Sequence, residues 1–133
     1  MRFGTMGTAT TNGILISAES RFEGAHSDPK SNRFLFSYRI RIVNHGTDTV
    51  QLLRRHWIIR DSLGPVREVE GPGVVGESPV LAPGEEFIYS SACDLRSGFG
   101  RMDGTYLMQR TPQGEQFRVT IPTILLAYPY SAN

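Results

Sequence analysis

Between Gly71 and Leu95 the chain reads GPGVVGESPVLAPGEEFIYSSACDL, and this stretch excludes more folds than any other. Gly71 to Gly76 satisfies G-x-G-x-x-G, the spacing of a dinucleotide-binding turn. That turn works only between a buried parallel strand and a helix, because the helix N-terminus carries the pyrophosphate. Pro79, Pro83 and Gly84 follow within a few residues, and proline removes an amide that a helix interior needs. No helix of useful length starts here, so the glycines belong to a loop between β-strands. After Pro83-Gly84 the chain alternates, with Phe87, Tyr89 and Ser91 on one parity and Ile88, Ser90 and Ala92 on the other.

The same period recurs along the chain. Ile14, Ile16 and Ala18 mark a strand within Gly13 to Glu23, and a polar loop follows from Gly24 to Asn32. Phe34, Phe36, Tyr38, Ile40 and Ile42 give the clearest half-buried strand. Asn44-His45-Gly46-Thr47 has turn composition. Val50 to Arg60 reads as a long strand with Leu53, Trp57 and Ile59 on its inner parity. Ser62-Leu63-Gly64-Pro65 turns the chain into a short strand, Val66 to Glu70. Asp94 to Gly104, with three glycines, reads as an irregular loop. Thr105 to Arg110 and Gln116 to Ile121 form a hairpin around Pro112-Gln113-Gly114, and Ile124 to Tyr128 is a last short strand beyond Pro122. Seven to eight strands without a helix predict an all-β antiparallel sandwich. Tyr106 falls where an immunoglobulin-like fold places a tyrosine corner. Residues 1–12 read as a flexible tail whose threonines also favour strand pairing once folded, 13–128 as the sandwich domain and 129–133 as a C-terminal tail.

A chain of 133 residues supports one domain with a real core. Lys+Arg 14 against Asp+Glu 13 leaves no global field for nucleic acid or anionic lipid. Lys30 is the only lysine, so the basic side chains are arginines suited to pairing with carboxylates. The single Cys93 excludes an internal disulfide and a cysteine-based zinc cluster. No apolar run approaches the roughly 20 residues of a membrane span, and no secretory h-region opens the chain. A soluble, cytoplasmic protein with no membrane partner is expected.

Three ordered blocks carry a family resemblance. They are LLRRHWIIRD, then VEGPGVVGESPVLAPGEEFIYSS, then GRMDGTYLM with FRVTIP. From about Gly13 to Tyr128 the chain resembles the ApaG domain. Ser78 departs from the family's glutamine and Ile124 from its phenylalanine. The resemblance implies a fibronectin type III-like sandwich, an association with cobalt resistance and magnesium efflux, and a kinship with partner-binding domains of F-box and polymerase-delta-interacting proteins. Bacterial members' genes often neighbour a diadenosine tetraphosphate hydrolase and an rRNA dimethyladenosine transferase. It implies no catalytic residues, and it carries the family's glycine motif onto Gly71, Gly73 and Gly76.

Those glycines are the candidate ligand site. Backbone amides in a nest hold phosphate without a helix, with Arg67 as a nearby cation, although Pro72 removes one donor. The competing reading is that the glycines permit positive φ and close backbone approach. For metals, His26, His45, His56 and Cys93 show no compact ligand spacing, and Glu68 and Glu70 share a strand face; direct divalent-metal binding stays a further alternative function, with no metal site assigned. Ser90, Ser91 and Cys93 have no base beside them, so no catalytic residue and no cofactor is assigned, and the chain is read as a non-enzyme. Arg54-Arg55-His56 before Trp57 has stacking-plus-phosphate chemistry, but parity puts Trp57 in the core, and Arg55 with it, unless a bulge intervenes. Nucleic acid is not expected. The preferred function is an interaction module with a protein partner, anchored by Arg96, Phe99 and Arg101, with Tyr128 and Tyr130 as further exposed or half-exposed aromatics. A homodimer stays open.

Overall fold

The computed structural model describes residues 6–129. Among these residues the strands are β1 Met6–Thr11, β2 Ile14–Phe22, β3 Phe34–Asn44, β4 Thr49–Asp61, β5 Arg67–Pro72, β6 Val80–Leu81, β7 Glu86–Leu95, β8 Phe99–Thr111 and β9 Gln116–Ala127. Two single 3-10 turns, Gly24–His26 and Pro29–Ser31, fill the connection between β2 and β3. No helix among the described residues is long and apolar enough to cross a membrane. One sheet runs β1-β2-β3-β7; the other runs β5-β4-β8-β9, with β6 paired to the β5 side of β4. Every ladder is antiparallel. The fold is the expected all-β sandwich.

Alternation builds the core. Phe34, Phe36, Tyr38, Ile40 and Ile42 of β3 all point inward, against Trp57, Met102, Tyr106 and Met108 of the opposite sheet. Tyr38 meets Trp57 edge-on, at 5.8 Å between ring centroids. At one end Tyr128 closes the sandwich, packing on Phe22 at 4.9 Å and Phe34 at 5.2 Å. Tyr106 is fully buried, but its hydroxyl meets that of Tyr89 across the core. It is therefore a sheet-to-sheet tie and not a tyrosine corner, which would bond backbone.

The inner parity of β4 changes along its length. Val50 and Leu52 point inward, and so do Trp57 and Ile59. The ladder with β8 skips Leu53, since Leu52 faces Met108 and Arg54 faces Leu107. One extra residue in a strand reverses the faces beyond it. The expectation that Leu53 shares the core with Trp57 is thus corrected: Leu52 takes that place.

Three other expectations change. Met6–Thr11 is part of the expected tail but pairs with β2 from Met6↔Glu19 to Thr11↔Ile14. Its turn is Asn12-Gly13, both at positive φ (48° and 82°), the pairing that a two-residue hairpin demands. Asp94 to Gly104 is mostly strand, interrupted only between Leu95 and Phe99. Its glycines make room instead of turns. A Cβ on Gly104 would lie 2.5 Å from the His56 carbonyl oxygen and 2.7 Å from Cε3 of Trp57. Finally, β9 runs unbroken through Pro122, because its ladder with β8 shifts between Met102↔Ile124 and Gly104↔Ile121. Proline tolerates an edge strand at such a bulge. Tyr130 lies outside the described residues.

Side chains close both flanks of the sandwich. On one flank the Thr120 amide donates to Thr11 Oγ1 at 3.3 Å, and Ser20 Oγ donates to the Leu125 carbonyl at 2.6 Å. On the other flank Arg67 of β5 donates to the Asp94 carbonyl of β7 and pairs with the Asp94 carboxylate at 3.2 Å. Covered edges of this kind protect a sheet from pairing with another chain. The packing predicts that Gly104→Ala lowers unfolding stability by about 1–3 kcal/mol, through overpacking against Trp57. Urea denaturation of the variant measures it, and unchanged stability overturns this account of Gly104.

Candidate functional site

The glycine loop connects β5 to β6 and folds back over the bulge of β4. The Gly73 amide donates to the carbonyl of bulged Leu53 at 2.9 Å, and the Leu52 amide donates to Pro79 at 3.0 Å. Within the loop, Val74 and Glu77 exchange backbone bonds of 2.8 and 2.9 Å. The residues between them, Val75 and Gly76, have φ of 43° and 80°. This is the φ pattern of a type I′ turn. Val74 is buried in the core and anchors the loop, whereas Val75 is 52% exposed at the tip.

Each glycine has its own reason. Gly71 stands where a Cβ would touch the Arg55 guanidinium, 3.3 Å from Nη1. Gly73, at φ 63°, would drive a Cβ into the Glu77 carbonyl. Gly76 has open space around it and needs only its positive φ of 80°. The cation on this loop is Arg55, not Arg67. Placed on the inner parity by the bulge, Arg55 donates through Nη1 to the carbonyls of Pro72 at 3.0 Å and Gly73 at 3.1 Å. Arg67 is engaged at the other end of β5, with Asp94. The Gly73, Val74 and Glu77 amides are bonded within the fold, and Pro72 has none. A phosphate nest needs successive amides converging on one point, and this loop instead turns carbonyls toward a guanidinium.

The expected anchors lie at the end of the sandwich where β4, β7 and β8 meet. Asp61 organises it. One carboxylate oxygen accepts the Arg96 amide at 2.6 Å; the other accepts the Ser97 hydroxyl at 2.7 Å and the Leu63 amide at 3.2 Å. Partial burial pushes the Asp61 pKa up, but the bonds from Arg96, Ser97 and Leu63 outweigh it and hold the group below its ordinary value. Phe99 does not plug the core: it stands on the outer face of β8, 56% exposed. Arg101 is on the same face two residues on, paired with Asp103 at 3.3 Å. Arg96 is exposed beside a small depression of about 150 Å³, lined by Asp61, Pro65, Arg67, Asp94 and Arg96. Tyr128, expected to be exposed or half-exposed, is half-buried, with its ring packed on Phe22 and Phe34.

The remaining candidates are dispersed or engaged. His56 Nε2 lies 2.9 Å from Glu68, and Arg54 grips Glu70 through two bonds of 2.5 and 2.9 Å. Among the described residues no group of three or more His, Cys, Asp or Glu side chains is placed to hold a metal ion. Cys93 is buried, and burial, more than any neighbour, pushes its thiol up to about 11. It is therefore protonated at neutral pH and lacks the thiolate of a nucleophile. Burial likewise raises Tyr38, against a hydrogen bond involving Ser91.

Two predictions follow from this geometry. An αL conformation costs a β-branched residue about 1–2 kcal/mol. Val75→Asn therefore stabilises the domain by about 1 kcal/mol, whereas Gly73→Ala destabilises it by at least about 2 kcal/mol. Thermal denaturation of both variants should give shifts of opposite sign. The second concerns acid. The depressed folded-state pKa of Asp61 means that its contribution is present above the unfolded pKa, about 3.9, and is lost as pH falls through the lower folded value. Asp61→Asn should cost about 1–2 kcal/mol at neutral pH. The gap from wild type should narrow in denaturation series taken below about pH 4; a gap independent of pH overturns this role for the carboxylate.

Comparison with known proteins agrees with this architecture. A family model described as the ApaG domain matches residues 24–110. Protein ApaG of Anaeromyxobacter dehalogenans is 48% identical over 96% of this chain and 100% of its own length. Protein ApaG of Methylobacterium sp. strain 4-46 is 46% identical over 92% of this chain and 93% of its own. A solved structure of a Bordetella pertussis protein described as ApaA superposes with a TM-score of 0.84 at 42% identity, covering 89% of this chain and 95% of that one. The C-terminal domain of Wzt shares only the fold, at 11% identity and a TM-score of 0.53 over 92% of this chain and 77% of that one. Matched by the domain model, by relatives over nearly their full length and by a superposable sandwich, the chain belongs to the ApaG domain family.

Proposed function

We propose that this domain is a non-enzymatic protein-binding module that docks its partner around Phe99. The observation that carries the reading is an apolar cluster left in solvent at a well-ordered end of the sandwich. Phe99 is 56% exposed, Leu63 70% and Val66 62%. Exposed Leu125 stands opposite Arg101, diagonal to Phe99 across the β8–β9 ladder. The turn carrying Leu63 is tied to β8 by the Ser62 amide, which donates to the Phe99 carbonyl at 3.1 Å. Single exposed apolar residues are ordinary, but clustered ones mark contact surfaces. Arg60, Arg96 and Arg101 surround this cluster, and arginine with aromatic side chains dominates interface hot spots.

The Asp61 bonds fix the turn and the β7–β8 connection before any partner arrives. Less loop entropy then remains to be lost on binding. Buried thiol chemistry at Cys93 plays no part in this reading, and the link to divalent cations that family resemblance implies runs through the partner. The chain's near-neutral charge, +1, makes shaped apolar contact the source of affinity.

Replacing Arg96, Phe99 and Arg101 together with alanine should weaken the partner by at least about 2 kcal/mol. The melting temperature should stay nearly unchanged, because all three side chains are exposed. Affinity capture with quantitative mass spectrometry, comparing wild type with this folded variant, reads both the partner and the loss. Capture of every partner at wild-type strength removes this surface from consideration.

A further inference from the structure

A second surface lies at the far end of the same sheet. On its outer face Arg54 of β4, Leu107 of β8 and Arg118 of β9 stand in one cross-strand row. Neighbouring strands are about 4.8 Å apart, so the two arginine backbones are roughly 10 Å apart. Glu70 of β5 holds the Arg54 guanidinium, and Arg118 lines the same cleft. The next row carries Glu70, His56, Thr105 and Thr120. Between the rows lies a cleft of about 280 Å³ lined by Arg54, Arg55, His56, Glu70 and Arg118. Small-molecule pockets run from about 300 to 1,000 Å³, so this one suits a compact ligand.

Its charge is unbalanced. Two guanidinium groups on the outer face, Arg54 and Arg118, share one carboxylate, Glu70, which Arg54 holds through two bonds. Arg55 bonds only the neutral carbonyls of Pro72 and Gly73. No ion pair among the described residues includes Arg55 or Arg118. Most other arginines among the described residues are ion-paired, as Arg41 with Glu86 and Arg60 with Asp103 show. Arg33 and Arg96 also lack an ion pair, but neither lines this cleft, where Arg118 has none and Glu70 is already held by Arg54.

We propose that this cleft binds a compact, multiply charged phosphate anion, either free phosphate or pyrophosphate or the phosphate tail of a nucleotide. Arg118 is its principal ligand, since a guanidinium in no direct ion pair, with Glu70 near but held by Arg54, offers its planar fork to phosphate oxygens. Arg54, oriented by Glu70, supplies the opposite wall, and Arg55 adds charge from beneath. Glu70 opposes the anion, so it limits affinity and favours ligands of higher charge. The site is separate from the Phe99 surface. It also differs from a backbone nest at Gly71 to Gly76, because it uses side chains on the sheet face.

The test is a titration of the isotope-labelled protein with sodium pyrophosphate, read by amide and arginine Nε resonances at constant ionic strength. Saturable shifts at Thr105, Leu107, Thr120 and the Arg54 and Arg118 side chains are expected. Arg118→Ala should weaken binding about tenfold, or about 1.4 kcal/mol. Glu70→Gln should tighten it, a gain that no merely structural role of Glu70 produces. Phe99→Ala should leave it unchanged. Inorganic phosphate and ADP form the other arms: ADP binding as tightly as pyrophosphate or better assigns a nucleotide tail, and weaker ADP binding assigns the free anion. Three results overturn the proposal: no saturable shift up to about 10 mM pyrophosphate, far weaker than the ~1 mM that corresponds to about −4 kcal/mol; shifts confined to Gly73–Glu77; or wild-type affinity in folded Arg118→Ala. A strong preference for an oligonucleotide over pyrophosphate also overturns it, in favour of a nucleic-acid face.

Discussion

A single extra residue in β4 decides how the rest of this molecule is arranged. Because Leu53 is bulged out of the ladder with β8, the faces of β4 exchange at that point. Trp57 enters the core, Arg55 follows it inward, and Arg54 and His56 are turned outward. Without the bulge, Trp57 and Arg55 would share the solvent face and two outward-facing polar residues would be buried, at several kcal/mol for each unpaired charge. The bulge also breaks the edge of β4 that β5 and β6 share. They pair with Arg54 to Ile59 and with Val50 to Gln51, respectively, and the glycine loop spans the gap. The Leu53 carbonyl, freed from the ladder, is satisfied by the Gly73 amide. Bulge and loop are therefore one device, and Arg55 locks it from the inside.

This gives the glycine motif a role in the fold itself. Its spacing is that of a phosphate-binding turn, yet each glycine answers to the fold: Gly71 to a guanidinium, Gly73 to a carbonyl, Gly76 to a positive φ. The Pro72 and Gly73 carbonyls both accept from the Arg55 guanidinium, which presents several donors in a fixed fork. The strain at Val75, a β-branched residue at φ 43°, is held by the paired Val74 and Glu77 on either side. At the opposite corner of the sandwich, Asn44 does comparable work. Fully buried, its amide donates to the Asp48 and Leu81 carbonyls at 2.8 and 2.9 Å, and its side-chain oxygen accepts the Gly46 amide at 2.9 Å. One side chain thus joins the β3–β4 turn to β6 and completes the crossing from one sheet to the other.

Alternation made the sandwich legible before any coordinates, because period two survives wherever a strand has one wet face. It located β2, β3, β4, β5 and β7 to within a few residues. What it missed has physical reasons. A bulge leaves no composition signal, so Leu53 and Leu52 were exchanged. Glycine reads as a turn former, but Gly100 and Gly104 lie in β8 because the Arg60 and His56 carbonyls approach too closely for a Cβ. Asn12-Gly13 carried a strong hairpin signal, but a boundary placed between those two residues hid it. Of the candidate sites, Phe99 and Arg101 stand out by residue type in a segment that reads as a loop, and the strand parity that exposes them, alternating with Gly100 and Met102, is hidden by its glycines. The pairing state of Arg118 was not legible either, because it depends on which carboxylates the register brings near. Arg55's inward parity was the one sequence clue to the cleft's neighbour, the clasped glycine loop.

The two exposed surfaces share one sheet face but not one footprint. Phe99 and Leu107 both point outward from β8, and eight residues at about 3.3 Å each separate them by roughly 25 Å. An interface of ordinary size covers about 800 Å² on each partner, a patch roughly 28 Å across. A partner centred on Phe99 therefore ends before the Arg54–Arg118 row, over the polar band of Arg60, Asp103 and Thr123, where Thr123 Oγ1 lies 2.5 Å from Asp103. That band is already internally paired, so covering it adds little affinity and demands little desolvation beyond its own ion pairs. An anion in the cleft and a protein at Phe99 can then be held at once by one rigid sheet. Coupling between them would require the partner to reach past the paired band. A partner large enough to do so would feel the charge of the occupied cleft directly, and one of ordinary size would not.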